Sequence, residues 1–426
     1  MGKGKLLAEG KTKRVYEAEG SDDFVVIESK DEITKNDDPS QTRLLDRKAV
    51  YSTTTTCAVF ELLKKTGFPV AYERRLSNTE FLAKNCKMIK LESVMRRYAV
   101  GSYLKRCPDF EKESGQPPYR FHRLVFELFL KTTQGIITDK DDRVLGMASC
   151  DALNGRPIDD PFISNPKDDV WNLKHPKLPE EDVSSDLRWS ILRKDIVLSG
   201  AMIKKIEEIS RKAFLVLEGA WAILGYRLID FKIEFGIDSH GNLLIADVVD
   251  NDSWRLRTED WQELSKQLFR DNAGMTEIAD KYALVADMVT NFKIPKQAIV
   301  IWRESQKGLF PQLPELAGIE EVDVVGTRPQ SKLYCLGEIG EVLGGHLERG
   351  VILVLGNMKD GLGSLLAART SWPVIGVSNR CEAHFPMMIV SSLENAVSAA
   401  LNILAQKNPV AYMYRQYEIE ELDKDK

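Results

Sequence analysis

The segment from Leu228 to Arg257 constrains the fold most, because its charged residues recur at the spacing of a β-strand. Asp230, Lys232 and Glu234 are two residues apart, and successive side chains of a strand point to opposite faces of the sheet. All three charged residues therefore share one face. The residues beside them are apolar and share the other face: Ile229, Phe231, Ile233 and Phe235. This pattern predicts a strand with one face in the core and one charged face.

A turn and a second strand follow this charged strand. Residues 238–242, with the sequence DSHGN, are typical of a turn, and the apolar run over residues 243–249 predicts the return strand of a hairpin. Asp247 and Asp250 come off that return strand, and Arg255 follows. Hard divalent cations that bind together with phosphates usually take one or two such carboxylates. A solvated, salt-bridged strand face explains the same charges.

The length and composition set the class of protein. At 426 residues the chain is too long for one ordinary core, so two or more domains are expected. A net charge of -5 and a pI near 5.8 argue against a general nucleic-acid surface. No apolar run reaches the length of a membrane span, and the N-terminus shows no signal-peptide pattern. The six cysteines form no CxxC pair, which favours reduced thiols and a cytoplasmic location.

The N-terminal motif at residues 9–13, EGKTK, lies at the head of a predicted strand-loop-strand unit. Gly10 lets the backbone approach a phosphate closely, and Lys11 and Lys13 can neutralise it from one side. The Walker-type GxxxxGK[ST] motif is absent, so the unit is predicted to cover phosphates rather than to form a P-loop. A charged β-turn explains the motif about equally well.

A basic block at residues 96–106, RRYAVGSYLKR, surrounds a Gly-Ser pair. Clustered cations around small residues are what the binding of a phosphate or carboxylate would require. The alternative is a basic surface strand. The four cations are Arg96, Arg97, Lys105 and Arg106.

Between these motifs the pattern predicts further elements. Residues 44–66 predict a helix that ends before Gly67, and residues 189–224 predict one long helix or two. Residues 132–186 are rich in Gly, Pro, Asp and Asn and predict a long loop region with a small hairpin near its start. Residues 258–293 predict helices, and a domain boundary is expected near residues 293–297.

The remainder of the chain alternates short apolar runs with helical segments. The runs are AIVIW, VDVVG, GVILVLG, PVIGV and MMIVS. Continuous apolar strands that alternate with helices indicate a parallel sheet covered on both faces, so a doubly wound α/β domain is predicted here.

Three of these stretches together resemble one enzyme family. EGKTKRVYE, RRYAVGSYLKR and FKIEFG with the following ADVVDNDSWRL are similar to phosphoribosylaminoimidazole-succinocarboxamide (SAICAR) synthetase of purine biosynthesis. The likeness spans roughly residues 5–271. The α/β domain after it resembles the class II phosphoribosylaminoimidazole (AIR) carboxylase half of the animal bifunctional enzyme. The resemblance implies an α+β ATP-binding ligase domain with antiparallel sheets at 1–271, a helical linker at 272–296 and the smaller carboxylase-like domain at 297–426.

The resemblance also implies ligands and site residues. The ligase would join L-aspartate to carboxyaminoimidazole ribotide (CAIR), using ATP and Mg²⁺. The residues implied at ATP are Lys11, Lys13, Val15, Met88, Lys90 and Lys131. Those implied at the substrates are Arg96, Ser102, Arg255 and Asp250. The catalytic group is Asp230, Lys232, Glu234 and Asp247, of which Glu234 and Asp247 would bind the metal. A homo-oligomer, an octamer in this family, is expected through the carboxylase-like domain, with neither nucleic acid nor membrane as a partner.

The carboxylase-like half departs from its family at the loops after the first, second and third strands. Its histidine position reads Arg328 or Pro329, and neither residue can act as a general base. Carboxylation of AIR by CO2 is therefore expected to be weak or absent. A different interpretation is a scaffold or regulatory protein that keeps both folds and has lost both chemistries.

Overall fold

The computed structural model describes a chain of two compact units. It describes residues 2–34, 41–148, 155, 157–303, 310–325, 340–341, 343–344, 349–356, 362–378 and 387–424. The first unit comprises Met1–Phe292 together with Leu422–Lys426, and the second comprises Lys293–Glu421.

The first unit begins with an antiparallel sheet. Its strands, in spatial order, are β1 (Lys3–Glu9), β2 (Lys13–Ala18), β3 (Ser21–Ser29), β7 (Glu80–Lys84) and β6 (Tyr72–Arg75). Helix α1 (Lys48–Lys65) contacts β3, β6 and β7, which confirms the helix expected near residues 44–66. The threonine run in α1 is buried, with Thr53 and Thr56 fully enclosed, so packing offsets the poor helix propensity of β-branched residues. A short hairpin, β4 (Glu32–Thr34) and β5 (Thr42–Leu44), precedes α1.

A second, larger antiparallel sheet carries the charged strand and hairpin predicted over residues 228–257. Its order is β14 (Asp186–Leu192), β13 (Val170–Lys174), β12 (Phe162–Ile163), β9 (Arg120–Leu130), β8 (Cys86–Tyr98), β15 (Tyr226–Asp238) and β16 (Leu243–Ala246). A further strand, β17 (Trp254–Thr258), pairs with the first half of β15. The predicted hairpin is confirmed as β15 and β16.

The apolar face of β15 packs against a long helix. Helix α4 (Gly200–Ile223) begins after Ser199, whose hydroxyl accepts a hydrogen bond from the Met202 amide. The rings of Phe214 in α4 and Phe231 in β15 meet edge to face with centroids 5.3 Å apart. The four apolar residues expected on this face are at most 2% exposed, so the predicted alternation is confirmed.

The long loop expected over residues 132–186 is wrong in part. The small hairpin near its start is present as β10 (Ile136–Thr138) and β11 (Val144–Met147), but β12 and β13 extend the large sheet. Trp171 and Leu173 are fully buried alternate residues of β13. Because β13 has only five residues, its alternating pattern does not stand out among the turn-forming residues around it. The helix expected from residue 189 is also corrected, because Trp189 lies in β14.

Small helices complete the first unit: α2 (Ser102–Arg106), α3 (Arg193–Ile196), α5 (Gln267–Arg270) and α6 (Met275–Met288). Ile278 and Tyr282 of α6 share an apolar cluster with Ile33, Leu45 and Phe269. This packing places residues 272–292 within the first unit. The finer division at 1–271, 272–296 and 297–426 stays a prediction.

The second unit contains a parallel sheet, as the alternating pattern predicted. Its described strands, in spatial order, are β19 (Ile319–Val325), β18 (Gln297–Arg303), β20 (Val351–Leu355), β21 (Val374–Val377) and β22 (Met388–Val390). Helix α7 (Leu362–Ala367) packs on the face that bears Val300 and Val354. Helices α8 (Leu393–Leu404) and α9 (Pro409–Leu422) contribute to the apolar cluster on the opposite face.

Across the described residues no helix has both the length and the apolar character that crossing a membrane requires.

Candidate active site

The charged face of β15 forms the middle of the candidate site. In the antiparallel pairing of β15 with β8, Asp230 lies opposite Arg96 and Glu234 lies opposite Glu92. Directly opposite carboxylates repel each other, so a cation is needed beside them. Lys232 supplies it: its Nζ lies 2.5 Å from Oε1 of Glu92 and 3.5 Å from Oε1 of Glu234.

Glu234 is paired with two lysines on this face. It is 5% exposed, and Lys131, the first residue after β9, contacts its second oxygen. Burial alone would raise the pKa of Glu234, but the charges of Lys232, Lys131 and Lys13 lower it to about 2. For Lys232 burial works against the charged form, yet the attraction of Glu92 and Glu234 raises its pKa above the usual range. Both groups are therefore ionised at neutral pH.

Asp247 brings the first sheet into contact with this face. It follows β16 with a backbone φ of 66°, a left-handed conformation that aspartate tolerates better than most residues. Its carboxylate contacts the ammonium group of Lys13 on β2. Burial, together with the nearby charges of Lys131 and Lys232, lowers the pKa of Lys13 to about 8. Lysines from two sheets thus converge on two carboxylates of the hairpin.

The other residues expected at ATP lie on β2, on β8 and in the bend before β2. Lys11 is exposed in the bend before β2, and Val15 is half-buried on β2. Met88 packs against an apolar cluster of Ala71, Leu244 and Ala246. Lys90 pairs with Asp142, with Nζ 2.6 Å from Oδ1.

At the Asp230 end, two guanidinium groups share one carboxylate. Arg96 donates from Nη1 to Oδ2 of Asp230 at 2.6 Å, and Arg255 of β17 contacts the same oxygen. Arg96 also donates from Nη2 to the hydroxyl of Ser102 at 3.3 Å. The predicted substrate residues Arg96, Ser102 and Arg255 are therefore neighbours. Arg96 and Arg255 thus meet at the Asp230 carboxylate, and guanidinium groups are well suited to bind carboxylates and phosphates.

Gly101 makes this arrangement possible. Its φ is 60°, and a Cβ at this position would lie 2.3 Å from Nη2 of Arg255. Any other residue would push the guanidinium aside. The Gly-Ser pair of the basic block is thus explained by the space that Arg255 occupies.

Asp250 is placed differently from the other predicted substrate residues. It is 3% exposed and accepts a hydrogen bond from the Asp252 amide at 2.9 Å. Burial and the neighbouring Asp252 raise its pKa, while Lys48 and Ser52 oppose that shift. Asp252 in turn pairs with Lys48, with Nζ 3.3 Å from Oδ2. Asp250 lies in a buried charge network, and its direct contact with a substrate stays a prediction.

The basic block does not act as one cluster. Arg96 and Arg97 are adjacent in a strand and point to opposite faces. Arg97 pairs with Glu218 of α4 at 2.7 and 2.9 Å, and Lys105 is exposed. Arg106 is buried against Glu127 of β9. Of the four cations, Arg96 is the one that reaches the hairpin.

Sequence reasoning missed three carboxylates. Glu92 contacts Lys232, and Glu127 accepts a hydrogen bond from Nε of Arg96 at 2.5 Å. Asp160 accepts one from the Thr132 amide at 3.1 Å. Burial and the charge of Glu92 raise the pKa of Asp160 to about 7. Each is a single acid in a strand or loop with no motif of its own; period-two alternation along β8 and β9 was the one available signal.

The described residues contain no cluster of three or more acidic, histidine or cysteine side chains arranged to hold a metal ion. A magnesium ion that binds together with phosphates usually takes only one or two protein carboxylates. The donor set of Glu234 and Asp247, oxygen only and flanked by lysines, fits such an ion.

Comparison with known proteins gives a consistent assignment. The SAICAR synthetase family model matches residues 6–153 and 176–288. A probable multifunctional protein ADE2 of Caenorhabditis elegans is 30% identical over 440 residues, which cover 96% of this chain and 91% of that protein. The phosphoribosylaminoimidazole-succinocarboxamide synthase of a Chloroflexus aurantiacus strain is 32% identical and covers 67% of this chain and 96% of its own length.

Among solved structures, a SAICAR synthetase (Type-2) in complex with ADP is 24% identical, with a TM-score of 0.49, and covers 66% of this chain and 97% of its own. The family match and the worm relative are decisive, since together they span the hairpin, the basic block and the N-terminal motif. The chain belongs to the SAICAR synthetase family, and its likeness to the multifunctional relative extends across the second unit.

Proposed function

We propose that the first unit ligates L-aspartate to CAIR at the expense of ATP and releases SAICAR, ADP and phosphate. The observation that carries this proposal is the convergence of Lys13, Lys131 and Lys232 on the carboxylates of Glu234 and Asp247. A site that transfers a phosphoryl group needs cations for the phosphates and oxygen ligands for a metal ion. Both are present within one patch, in which Glu234 is buried and the lysines are partly exposed.

The chemistry requires two steps. The γ-phosphoryl group of ATP is transferred to a carboxylate oxygen of CAIR, which gives an acyl phosphate and ADP. The amine of aspartate then attacks the acyl carbon; the new C–N bond forms, the C–O bond to phosphate breaks, and the amine loses a proton. The protein mainly positions the reactants and stabilises charge in such reactions. Asp230 would orient the two arginines, and Lys232 would face the reacting carboxylate.

For the nucleotide we assign Lys11 and Lys13 to the phosphates and Val15 to the adenine, with Met88 and Lys90 beside the base and Lys131 at the phosphates. The ion pairs of this structure suggest that lysines and carboxylates exchange partners when the nucleotide binds. Lys13 and Lys131 neutralise Asp247 and Glu234 here. When the magnesium complex of ATP binds, Lys13 and Lys131 would pair with its phosphates, and Glu234 and Asp247 would hold the metal ion. Bound Mg²⁺ would supply charge neutralisation of the transferred phosphoryl group.

For the substrates we assign Arg96, Ser102 and Arg255 to CAIR and aspartate. The support is that Arg96 contacts Ser102 and that Arg96 and Arg255 share the Asp230 carboxylate. Asp250 would act on the site indirectly, because its charge favours the protonated form of Lys13.

The test is nucleotide consumption by the purified protein. We expect ATP hydrolysis to ADP only when aspartate and CAIR are both present, with SAICAR as the product. A scaffold that has lost its chemistry would consume no ATP under any combination of substrates. ATP consumption that ignores aspartate would contradict the ligase as well.

For the second unit we propose an AIR carboxylase fold with weak or no carboxylation of AIR by CO2. The observation in favour is sequence: Arg328 or Pro329 stands at the family's histidine position. These residues, and the loops at 304–309, 326–339 and 357–361, lie outside the described residues. Purified protein given AIR and labelled bicarbonate should incorporate little label into CAIR. Incorporation at family-like rates would show that the loops are competent.

We further propose a homo-oligomer assembled through residues 297–426, an octamer by family resemblance, in the cytoplasm. Apolar residues of α8 and α9 are the structural support, since Val397 and Tyr414 are only partly covered. Light scattering that finds a monomer at every concentration would exclude the assembly.

A further inference from the structure

We propose that Glu127 and Arg106 are positioning residues for the substrate arginine Arg96, and that Phe162 and residues 176–180 hold this pair in place. The inference rests on the proposed function, because it assigns a task to residues behind the proposed CAIR site. The sequence motifs singled out Arg106 as a member of the basic block, but not Glu127, Phe162 or residues 176–180.

Glu127 divides its two oxygens between two arginines. Oε2 accepts the hydrogen bond from Nε of Arg96 at 2.5 Å, and Oε1 contacts Nη2 of Arg106. All three residues are at most 3% exposed. A carboxylate buried this deeply must be paired, and each arginine depends equally on it. The pairs therefore form one unit.

The bond to Nε fixes the plane of the Arg96 guanidinium. A guanidinium is planar, so holding Nε on Glu127 and Nη1 on Asp230 determines the direction of Nη2. Nη2 then points to Ser102, on the side where Arg255 approaches Gly101. The named bonds use three of the five N–H donors that an arginine carries. Glu127 thus decides which edge of Arg96 faces the anion site.

Arg106 closes this arrangement into a circuit. It is the last residue of α2, whose first residue is Ser102. Ser102 accepts from Arg96, Arg96 donates to Glu127, and Glu127 binds Arg106. Neighbouring residues in this circuit are joined by a direct contact or, for Ser102 and Arg106, by the short helix α2. A shift of Arg106 would move both the hydroxyl of Ser102 and the carboxylate of Glu127.

A neighbouring segment holds Arg106 from the far side. Nη1 donates to the carbonyl of Pro176 at 2.8 Å, and Nε donates to Glu180 at 3.3 Å. The guanidinium also lies over the rings of Phe129 and Phe162, 5.3 and 4.7 Å from their centroids. Such contacts stabilise a desolvated arginine. Phe162 belongs to β12, in the stretch between residues 153 and 176 that the family model leaves unmatched.

The chain contains a matched control for a purely structural ion pair. Arg97 and Glu218 are also buried and joined by two hydrogen bonds, but on the opposite face of β8. Loss of either carboxylate removes an ionic partner from a buried arginine. Loss of Glu127 alone should disturb the substrate site.

The experiment compares Glu127→Gln with Glu218→Gln in the full-length protein, after both are shown to be folded by circular dichroism. For Glu127→Gln we expect the KM for CAIR to rise roughly 10- to 100-fold, the scale of a lost bond to a charged group, with the KM for ATP unchanged. For Glu218→Gln we expect both KM values to stay as in the wild type. Equal effects of the two variants on the KM for CAIR would overturn the positioning role.

Two further variants keep the test decisive if Glu127→Gln does not fold. Arg106→Lys keeps the charge but loses the planar fork, and Phe162→Leu removes one ring under the guanidinium. Each should raise the KM for CAIR several-fold without changing that for ATP, and an unchanged KM for CAIR in both would refute the proposal. A wild-type protein that consumes no ATP with CAIR and aspartate would instead refute the proposed function, so the two failures are distinguishable.

Discussion

Gly101 and Arg255 occupy the same small space: the backbone of the glycine lies where only a hydrogen in place of a Cβ leaves room for the terminal nitrogen of the arginine. The first turn of α2 and strand β17 are far apart in sequence, and this contact brings them together at the Asp230 carboxylate.

Gly101→Ala should therefore weaken binding of CAIR by roughly tenfold or more, since it displaces a charge-assisted contact. Steady-state kinetics with CAIR as the varied substrate provides the measurement. Gly115→Ala is the matched control, because Gly115 also has a positive φ, of 87°, but nothing lies within 4 Å of its Cβ position. Both variants place alanine at a positive φ, a backbone conformation that residues with a Cβ adopt only at a cost in energy. If they affect the KM for CAIR alike, displacement of Arg255 is not the cause.

Asp247→Asn should lower turnover by on the order of 100-fold or more, because it removes a proposed metal ligand while keeping a residue that tolerates a left-handed backbone. Lys11→Ala should do the same through the phosphates. Rates are measured as ATP consumption at saturating substrates, with thermal unfolding as the check on folding. Near-wild-type turnover in both variants would remove these residues from the site.

Arg97→Met should destabilise the protein by about 3–5 kcal/mol, because it removes the arginine that pairs with the buried Glu218. Urea unfolding gives the change in free energy. The double variant Arg97→Met with Glu218→Leu should recover most of the loss, since an apolar pair can replace a buried ion pair. The folded single variant should keep the KM of the wild type for both ATP and CAIR. A selective rise in the KM for CAIR would place Arg97 in the site after all.

Asp160→Asn should change how stability depends on pH. The folded protein raises the pKa of Asp160 from 3.8 to about 7, chiefly by burial and by the charge of Glu92, with Asp159 adding to it and Lys232 opposing it. Between these values the folded state keeps a proton that the unfolded state has lost. The free energy of unfolding therefore falls as pH rises through this window. Asparagine does not titrate, so the variant should lose less stability over the same window.

Urea unfolding at about pH 5 and about pH 8 tests this difference. Asparagine preserves the oxygen that accepts from the Thr132 amide and tolerates the positive φ of 50° at this position. An identical loss of stability in wild type and variant would show that Asp160 titrates normally.

Much of the site was predictable because a strand has a strict period. Asp230, Lys232 and Glu234 could be placed on one face without a structure, and the structure confirms it. The same period, applied to the basic block, separates Arg96 from Arg97, yet composition alone grouped them as one cluster. Glu92, Glu127 and Asp160 required knowledge of strand pairing, because residues far apart in sequence meet only after the sheet order is set.

The fold was predicted best where the pattern was long. Helix α1 and the parallel sheet of the second unit rest on sustained periodicity, which a few exceptions do not erase. The strands of residues 162–174 are short and lie between turn-forming residues, so local sequence favoured loops there. Their extended conformation depends on the pairing of β12 with β9, which is a tertiary contact that local sequence does not reveal.

Strand β15 also fixes the distance between the two ends of the proposed site. Asp230 marks the proposed anion end of the site and Glu234 the phosphoryl end, and the four residue steps from one to the other span roughly 13 Å of extended backbone. Pairing with β8 on one edge and with β16 and β17 on the other prevents this strand from stretching or sliding. The separation of the two chemical ends is consequently a property of the covalent chain, and side-chain changes around it can tune affinity but cannot alter the distance over which the ligands must reach.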